Sequence, residues 1–425
     1  MRNVTIFAFG SRGDVQPYIP LGQRLQQAGY TVTVLAGDEF RDFVTGAGLT
    51  FHPLGFRVRE GISESEAARA ILEGRRSLIR GMRDLIRTVG AVVEQMLAST
   101  WQACQHADAI IFSTLGLSAY HAAEKLNVPA FWALTMPAFS RTGSFPSPLF
   151  PLLPVENGWI NRTTHLAAEV AWQQLTGRSF NTWRRNSLQL PRMRLMRWPY
   201  ARLNGKPLPR LYHFSPAVIP RPPDWDEHAH VTGYWFLDEP DWQPPPGLLD
   251  FLERGPPPVY VGFGSMAERR AEEVTALVVQ ALALSGQRGL LLTGWAGIGA
   301  VDLPDTVFRL DAAPHGWLFP RMAAVVHHGG AGTVAAGLRA GAPSILVPFA
   351  GDQPFWARQV GKLGVGPAPI PRRSLTADRL AEAIRVAISD TEIRRKAAAL
   401  GERIRAEDGI GQAVKIIGNC LKSEC

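Results

Sequence analysis

Residues 327–353 read HHGGAGTVAAGLRAGAPSILVPFAGDQ, and this stretch decides the fold. An apolar run, Ala323 to Val326, leads into His327 and His328 and a turn made of Gly329, Gly330, Ala331, Gly332 and Thr333. An Ala- and Leu-rich helical pattern then runs to Gly341. Strand, loop and helix in that order are the unit from which doubly wound α/β sheets are built. The loop puts backbone N–H groups and the positive end of a helix dipole where an anion can sit, and its small residues let phosphate approach the main chain. Histidine and Thr333 add side-chain donors. A second strand, Ser344 to Val347, ends at Pro348, and the next loop presents the carboxylate of Asp352 beside the amide of Gln353, which donates and accepts. Adjacent sugar hydroxyls need that pairing, so the stretch is equipped for a nucleotide diphosphate and the sugar attached to it. Glycine-rich turns also serve packing alone; His, Gly and Thr followed by Asp-Gln set this one apart.

A loop of related character stands near the beginning of the chain. Val4 to Phe9 reads as a buried strand, Pro17 to Ala28 as a helix closed by Gly29, and Thr31 to Leu35 as the next strand, a βαβ start. Between the first two lies Gly10-Ser11-Arg12-Gly13-Asp14-Val15-Gln16-Pro17. Ser11, Arg12 and Gly13 offer backbone amides to phosphate, and Asp14 is the candidate general base: an alcohol attacking an anomeric carbon must lose its proton, and a carboxylate within hydrogen-bond reach accepts it. The competing reading makes Asp14 a helix N-cap or first-turn acid, favoured by the dipole whatever the chemistry. A dinucleotide-binding reading fails on spacing, G-x-x-G instead of G-x-G-x-x-G, although Asp38 after the second strand imitates the ribose acid.

These two segments carry a resemblance. Residues 327–353 resemble the donor-site signature of the family 1 glycosyltransferases, in wording closest to sterol glucosyltransferases and bacterial antibiotic glycosyltransferases. GSRGDVQP resembles the N-terminal motif of the same enzymes, in which the matching Asp serves as base. The resemblance implies the GT-B architecture: two facing Rossmann-like doubly wound domains with an interdomain cleft. It implies an inverting hexosyltransferase that moves glucose from UDP-glucose to a hydroxyl of a lipophilic acceptor such as a sterol, hopanoid or terpenoid. The near alternative is a natural-product glycosyltransferase using a TDP- or UDP-activated deoxysugar. From another class comes a non-catalytic partner protein that keeps the fold; intact Asp14, His327 and Asp352 argue against it.

Plant-type relatives place a His in the first loop and orient it with an Asp after a later strand. This chain has no His there, and Ser113-Thr114 follows the corresponding strand, Ala109 to Phe112, so Asp14 is expected to act without a partner. His327 matches the family's phosphate-contacting position. His328, its neighbour on an alternating strand, faces the other way and reads as a packed histidine. Gly329, Gly330, Gly332 and Thr333 complete the phosphate turn, with Ser11 and Gly13 as further donor-side groups. Ala313-Pro314-His315-Gly316-Trp317-Leu318-Phe319 resembles the base-recognition segment of sterol glucosyltransferases, with Gly316 where those carry Asp, so the backbone near His315 is expected to read the base. The stacking tryptophan of plant-type enzymes aligns with Ala312; Trp295 is a candidate substitute, with packing as its competing role. Gly264-Ser265 are candidates for phosphate or nucleoside contact. Asp224-Trp225-Asp226 imitates a D-x-D metal motif, but its Pro-rich setting argues otherwise. No cofactor and no essential metal are expected, since histidine and helix N-terminal amides supply positive potential.

Length and composition bound the rest. At 425 residues the chain exceeds a single core, and two domains of about 200 residues are expected. We expect domain one at 1–215, a linker at 216–248 where Pro220, Pro222, Pro223 and Pro244 to Pro246 cluster, domain two at 249–405, and a helix at 406–425 packing back on the first. Hydrophobic residues at 46% and charged residues at 19% exclude extended disorder. The formal charge of +8 favours anionic partners; without a recognised nucleic-acid module, nucleotides and acidic lipid rank above nucleic acid. Cys104, Cys420 and Cys425 are odd in number and widely spaced, which excludes a disulfide framework. The start lacks the layout of a secretory signal and no apolar run reaches the ~20 residues of a membrane span, so a cytoplasmic protein with possible peripheral membrane contact is expected. For that contact, or for a greasy acceptor pocket, two segments are candidates: the basic stretch Arg69 to Arg87, and the seven of twelve tryptophans between Trp159 and Trp242, interspersed with Arg184, Arg185, Arg192, Arg194 and Arg197. Ordinary amphipathic and aromatic packing is the competing account.

Overall fold

A computed structural model describes residues 2–58, 90–149, 157–194, 198–239, 241–263, 271–292 and 303–423. The stretch Arg69 to Arg87, Gly264-Ser265, Trp295 and Arg197 lie outside the described residues. The chain divides into two compact units, Met1–Leu237 with Asp408–Cys425, and Asp238–Glu407.

The first unit is built on a seven-stranded sheet in the order β3-β2-β1-β4-β5-β8-β9. Its strands are β1 (Asn3–Phe7), β2 (Thr31–Ala36), β3 (Thr50–Pro53), β4 (Ala109–Phe112), β5 (Ala130–Leu134), β8 (Arg210–Tyr212) and β9 (Ala229–Val231). Every pairing is parallel, with Phe7 opposite Leu35 and Phe112. A two-stranded antiparallel ribbon, β6 (Arg202–Leu203) with β7 (Lys206–Pro207), stands apart. Parallel strands buried on both faces need apolar residues on both, which is why β4 reads AIIF without alternation. On one face, Val4, Ile6, Val34, Ile111 and Ala133 pack against Leu21 and Leu25 of the helix Tyr18–Gln27 and against Ala413, Ile417 and Leu421 of the last helix, Gly409–Ser423. On the other lie Phe112 and Trp132, whose rings stack at 5.9 Å.

The second unit carries a five-stranded parallel sheet in the order β12-β11-β10-β13-β14. These strands are β10 (Val259–Gly262), β11 (Gly289–Leu292), β12 (Val307–Leu310), β13 (Ala324–His327) and β14 (Ser344–Leu346). Val261, Val326 and Ile345 face the helices Ala271–Ser285 and Ala377–Ser389; Tyr260, Leu290 and Val325 face the opposite core with Leu318 and Phe319. Counted from its first strand, each sheet runs third, second, first, fourth, fifth. That order reverses between β1 and β4 in one unit and between β10 and β13 in the other, and open sheets of this kind bind ligands at such switch points.

The stretch 216–248 is not a connector throughout. Ala229–Val231 forms the last strand of the first sheet, and the division between the units falls after Leu237. Its prolines break periodicity without breaking the domain. Gly409 shows how closely the last helix seats on the first unit: a β-carbon there would lie 2.5 Å from the Tyr234 carbonyl oxygen.

Candidate active site

The loop after β1 builds a fixed carboxylate. Ser11 is the N-cap of the short helix Arg12–Val15, and Asp14 is its third helical residue. The Ser11 N–H donates to Asp14 Oδ2 at 2.8 Å and the Ser11 hydroxyl donates to the same oxygen at 2.9 Å. Asp14 is therefore a first-turn acid of a helix capped by Ser11, and that cap holds it at the switch point of the sheet. Burial pushes the Asp14 carboxyl above its ordinary range, partly opposed by the two Ser11 bonds. Tyr18, one turn on, is buried, donates to the Ala133 carbonyl at 3.3 Å, and is raised well above 10.0 by burial and by the Asp14 charge. Arg12 lies over the ring of Phe43 at 4.9 Å and bonds Gln16, so its guanidinium is directed along the surface; Gly13 is exposed. Beside this loop the Ser113 hydroxyl accepts from the Phe9 N–H at 3.0 Å, tying the end of β4 to the end of β1.

In the second unit the turn after β13 gathers most of the quoted stretch. Gly329 adopts φ of 93°, open to glycine at little cost. Gly330 caps the helix Ala331–Ala340, and a β-carbon on it would lie 2.6 Å from His328 Nε2. The first bond of that helix is Val334 N–H to the Gly330 carbonyl, 2.9 Å, so the amides of Ala331, Gly332 and Thr333 precede the ladder and point from the positive end of the dipole. His327 is fully buried: its Nδ1 accepts from the Gly329 N–H at 3.2 Å, and its Nε2 is turned beneath the helix, 4.0 Å from where a β-carbon on Gly337 would stand. It shapes the turn from inside. His328 points the other way, its ring bonded to the Gly262 backbone at the end of β10 and its pKa lowered by burial to about 4. Burial holds His327 well below 6.5, so both rings are neutral near pH 7.

The Asp352-Gln353 loop meets the same turn. A β-carbon on Gly329 would sit 3.4 Å from the Gln353 carbonyl oxygen. Gln353 Oε1 accepts from the amides of Phe349 at 2.7 Å and Ala350 at 3.2 Å, which fixes its carboxamide. Asp352 caps the helix Gln353–Leu363 and receives the indole N–H of Trp356 at 2.9 Å on Oδ2. Gly329 and Gln353 thus bring the glycine turn and the Asp352-Gln353 loop together.

His315 opens the short helix His315–Leu318, stacks on Phe319 at 4.3 Å and meets Tyr260 edge-on at 6.0 Å. A carboxylate stands beside Gly316 although the residue itself has none: Asp238 Oδ1 lies 3.7 Å from where a Gly316 β-carbon would be, held by Arg339 at 2.6 and 3.1 Å. Nothing in the local sequence points to Asp238, which is distant in the chain. The D-x-D pair is divided between separate arginines, Asp224 to Arg162 at 2.8 Å and Asp226 to Arg210 at 2.5 Å. Among the described residues no three His, Cys, Asp or Glu side chains form a group that could hold a metal, and no helix is long and apolar enough to cross a membrane.

Two Rossmann-like units in one chain, each with a glycine turn at its switch point, are the components of the GT-B class of fold. Residues 4–142 match the glycosyltransferase family 28 N-terminal domain, and 293–416 match the erythromycin biosynthesis protein CIII-like C-terminal domain. A sterol 3-beta-glucosyltransferase of Cryptococcus neoformans is 37% identical across 97% of this chain, and one of Arabidopsis thaliana is 34% identical across 99%. The chain spans 27% of the fungal relative's length and 66% of the plant relative's. The glycotransferase of kitacinnamycin has the same fold, with a TM-score of 0.72, 20% identity and 99% of each chain covered. The chain belongs to the family 1 glycosyltransferases of the GT-B type.

Proposed function

We propose that this chain is an inverting glucosyltransferase that moves glucose from UDP-glucose to a hydroxyl of a sterol or another lipophilic alcohol, a hopanoid or terpenoid. One observation carries the reading: the relatives named as sterol 3-beta-glucosyltransferases align over nearly the whole of this chain, across both the Asp14 loop and the His327 to Gln353 stretch.

In the proposed reaction the acceptor hydroxyl gives its proton to Asp14 as its oxygen bonds to the anomeric carbon of glucose. Oδ2 is engaged by Ser11, which leaves Oδ1 for that proton. The bond from the anomeric carbon to the diphosphate breaks on the opposite side, the configuration inverts, and UDP departs with its charge on the amides of Ala331, Gly332 and Thr333. His327 serves the donor through the Gly329 amide it holds in place. Asp352 and the Gln353 amide nitrogen bind sugar hydroxyls, and the backbone near His315 borders the nucleoside. These groups supply the positive potential a metal would, and we propose that transfer needs none. Release of a lipid product is compatible with peripheral contact at a membrane.

The test is direct transfer: purified chain, labelled UDP-glucose or TDP-glucose, and a panel of sterols and other lipid alcohols. Label in a β-linked lipid glucoside from UDP-glucose is the expected result. No transfer from either donor, with no calorimetric binding of UDP, overturns it.

A further inference from the structure

Ser113, the residue that follows β4, is buried and joins β4 to the end of β1 in two ways. Its backbone N–H continues the ladder of the sheet by donating to the Phe7 carbonyl at 2.9 Å. In parallel pairing the return bond would run from the Phe9 N–H to the Ser113 carbonyl. That carbonyl is already engaged: it accepts from the Gly116 N–H at 2.9 Å, where the chain turns away from the sheet. The Ser113 hydroxyl stands in for it and accepts from the Phe9 N–H at 3.0 Å. A side chain thus supplies the last rung between β4 and the Asp14 loop, and an alanine at 113 would have no acceptor to offer.

The rung lies just before the loop meets the carboxylate. After Phe9 comes Gly10, packed so closely on Asp14 that a β-carbon there would fall 2.4 Å from Oδ2. Next is Ser11, whose N–H and hydroxyl both donate to that same oxygen. The Ser11 carbonyl in turn accepts from the N–H groups of Asp14 at 2.9 Å and Val15 at 3.1 Å, so the short helix is tied to its cap. Holding the Phe9 amide therefore fixes Gly10 and Ser11, and through them the carboxylate.

We propose that Ser113 is a positioning residue for transfer: it touches no reacting atom and sets the place of Asp14 through the Phe9 amide, Gly10 and Ser11. This rests on the reading of Asp14 as the base.

The experiment measures glucose transfer across a range of pH for Ser113→Ala, Ser113→Thr, Asp14→Asn and the double variant Ser113→Ala/Asp14→Asn, with UDP binding followed by calorimetry. Ser113→Ala should lower kcat about tenfold, the scale of one lost hydrogen bond, and leave UDP affinity and KM for UDP-glucose within about twofold. The rise of kcat/KM should move to higher pH, because the Ser11 bonds that favour the ionised carboxylate are loosened. The titratable group that the Asp14 charge reaches is Tyr18, which stays neutral there, and Arg12 is turned to Phe43 and Gln16. Ser113→Thr keeps a hydroxyl and should recover the parent profile and most of the rate. Ser113→Cys, with a sulfur that accepts only weakly, should fall between alanine and parent, and it serves in place of either variant that does not fold. On the Asp14→Asn background Ser113→Ala should cost nothing further, since the group it positions is gone. Parent rates and profile in Ser113→Ala overturn the proposal. So does an equal loss of UDP affinity and rate, the mark of a merely structural role, or a full further loss in the double variant. Asp14→Asn with parent rates removes the base reading and this proposal with it; lost transfer in Asp14→Asn beside parent behaviour in Ser113→Ala removes this proposal alone.

Discussion

A β-carbon on Gly10 would fall 2.4 Å from Oδ2 of Asp14, so the catalytic candidate fills the space that any other residue at position 10 would claim. Gly10 also has φ of 138°, where side-chain-bearing residues are strained. The first loop therefore has two reasons for glycine, and both serve one carboxylate. Gly10→Ala should displace Asp14 and lower transfer at least as far as Asp14→Asn does, by a factor on the order of 10² to 10⁴. Both variants should keep UDP affinity in calorimetry. Normal initial rates in Asp14→Asn remove this residue from the role of base.

The raised pKa of Asp14 gives a pH dependence with a definite sign. As a base it must be ionised, so kcat/KM should climb with pH through its folded-state pKa, above 3.8, and level off beyond it. Ser11→Ala removes a bond that favours the charged form, so the rise should move to higher pH. Stability runs the other way. A folded pKa above the unfolded value means the native state binds more protons between the two, so this contribution is present at low pH and lost as pH rises through the folded pKa. Asp14→Asn should accordingly unfold at a Tm equal to or above that of the parent at neutral pH and show less advantage in acid. A rate profile with the same inflection in Ser11→Ala and parent contradicts the assignment.

Where burial on both faces forces continuous apolar runs, sequence and structure agree closely. Ala109–Phe112 has the expected bounds, and the helix expected to reach Gly341 ends there with φ of 72° at that glycine. The long helix Gly158–Asn186 gave no such signal, because its buried stripe is polar and leaves no apolar period of 3.6 residues. β8 and β9 were hidden for a related reason: each has three residues, and Arg210 is buried by pairing with Asp226. In the site, the residue types of the two loops were readable, but their bonding was not. That His327 Nδ1 would take the Gly329 amide, or that Asp238 would stand beside Gly316, depends on contacts made only on folding.

His327→Ala tests whether the turn is built from within. The change leaves the Gly329 N–H without its acceptor and opens a void in a fully buried place. Loss of one such bond at the donor site should weaken UDP binding about tenfold and lower Tm. His327→Asn, whose side-chain oxygen can take the place of Nδ1, should recover part of both. Unchanged UDP affinity in the alanine variant shows that this histidine does not govern the phosphate turn.

Chelation separates amide-based from metal-based charge stabilisation. If helix N-terminal amides carry the diphosphate, extensive treatment with EDTA followed by assay in metal-free buffer should leave kcat within about twofold. A loss restored by added magnesium or manganese contradicts the proposal, and Asp224→Asn and Asp226→Asn would then show whether those carboxylates are involved.

Asp352 and Gln353 stand side by side but are held differently, and their variants should separate accordingly. Asp352 receives the Trp356 indole on Oδ2, and its proposed partners are hydroxyls of the sugar. Asp352→Asn should therefore raise KM for UDP-glucose about tenfold while UDP itself binds as before, since UDP lacks the sugar. Gln353 is a turn residue as well as a proposed sugar contact: its Oε1 accepts from two backbone amides. Gln353→Leu leaves both amides unpaired, each costing about 1–3 kcal/mol if it stays buried, so Tm should fall along with donor affinity. Gln353→Glu keeps an oxygen for those amides but replaces the donating nitrogen, so it should preserve Tm better and still raise KM for UDP-glucose. If Asp352→Asn weakens UDP and UDP-glucose equally, the residue acts on the turn and not on the sugar.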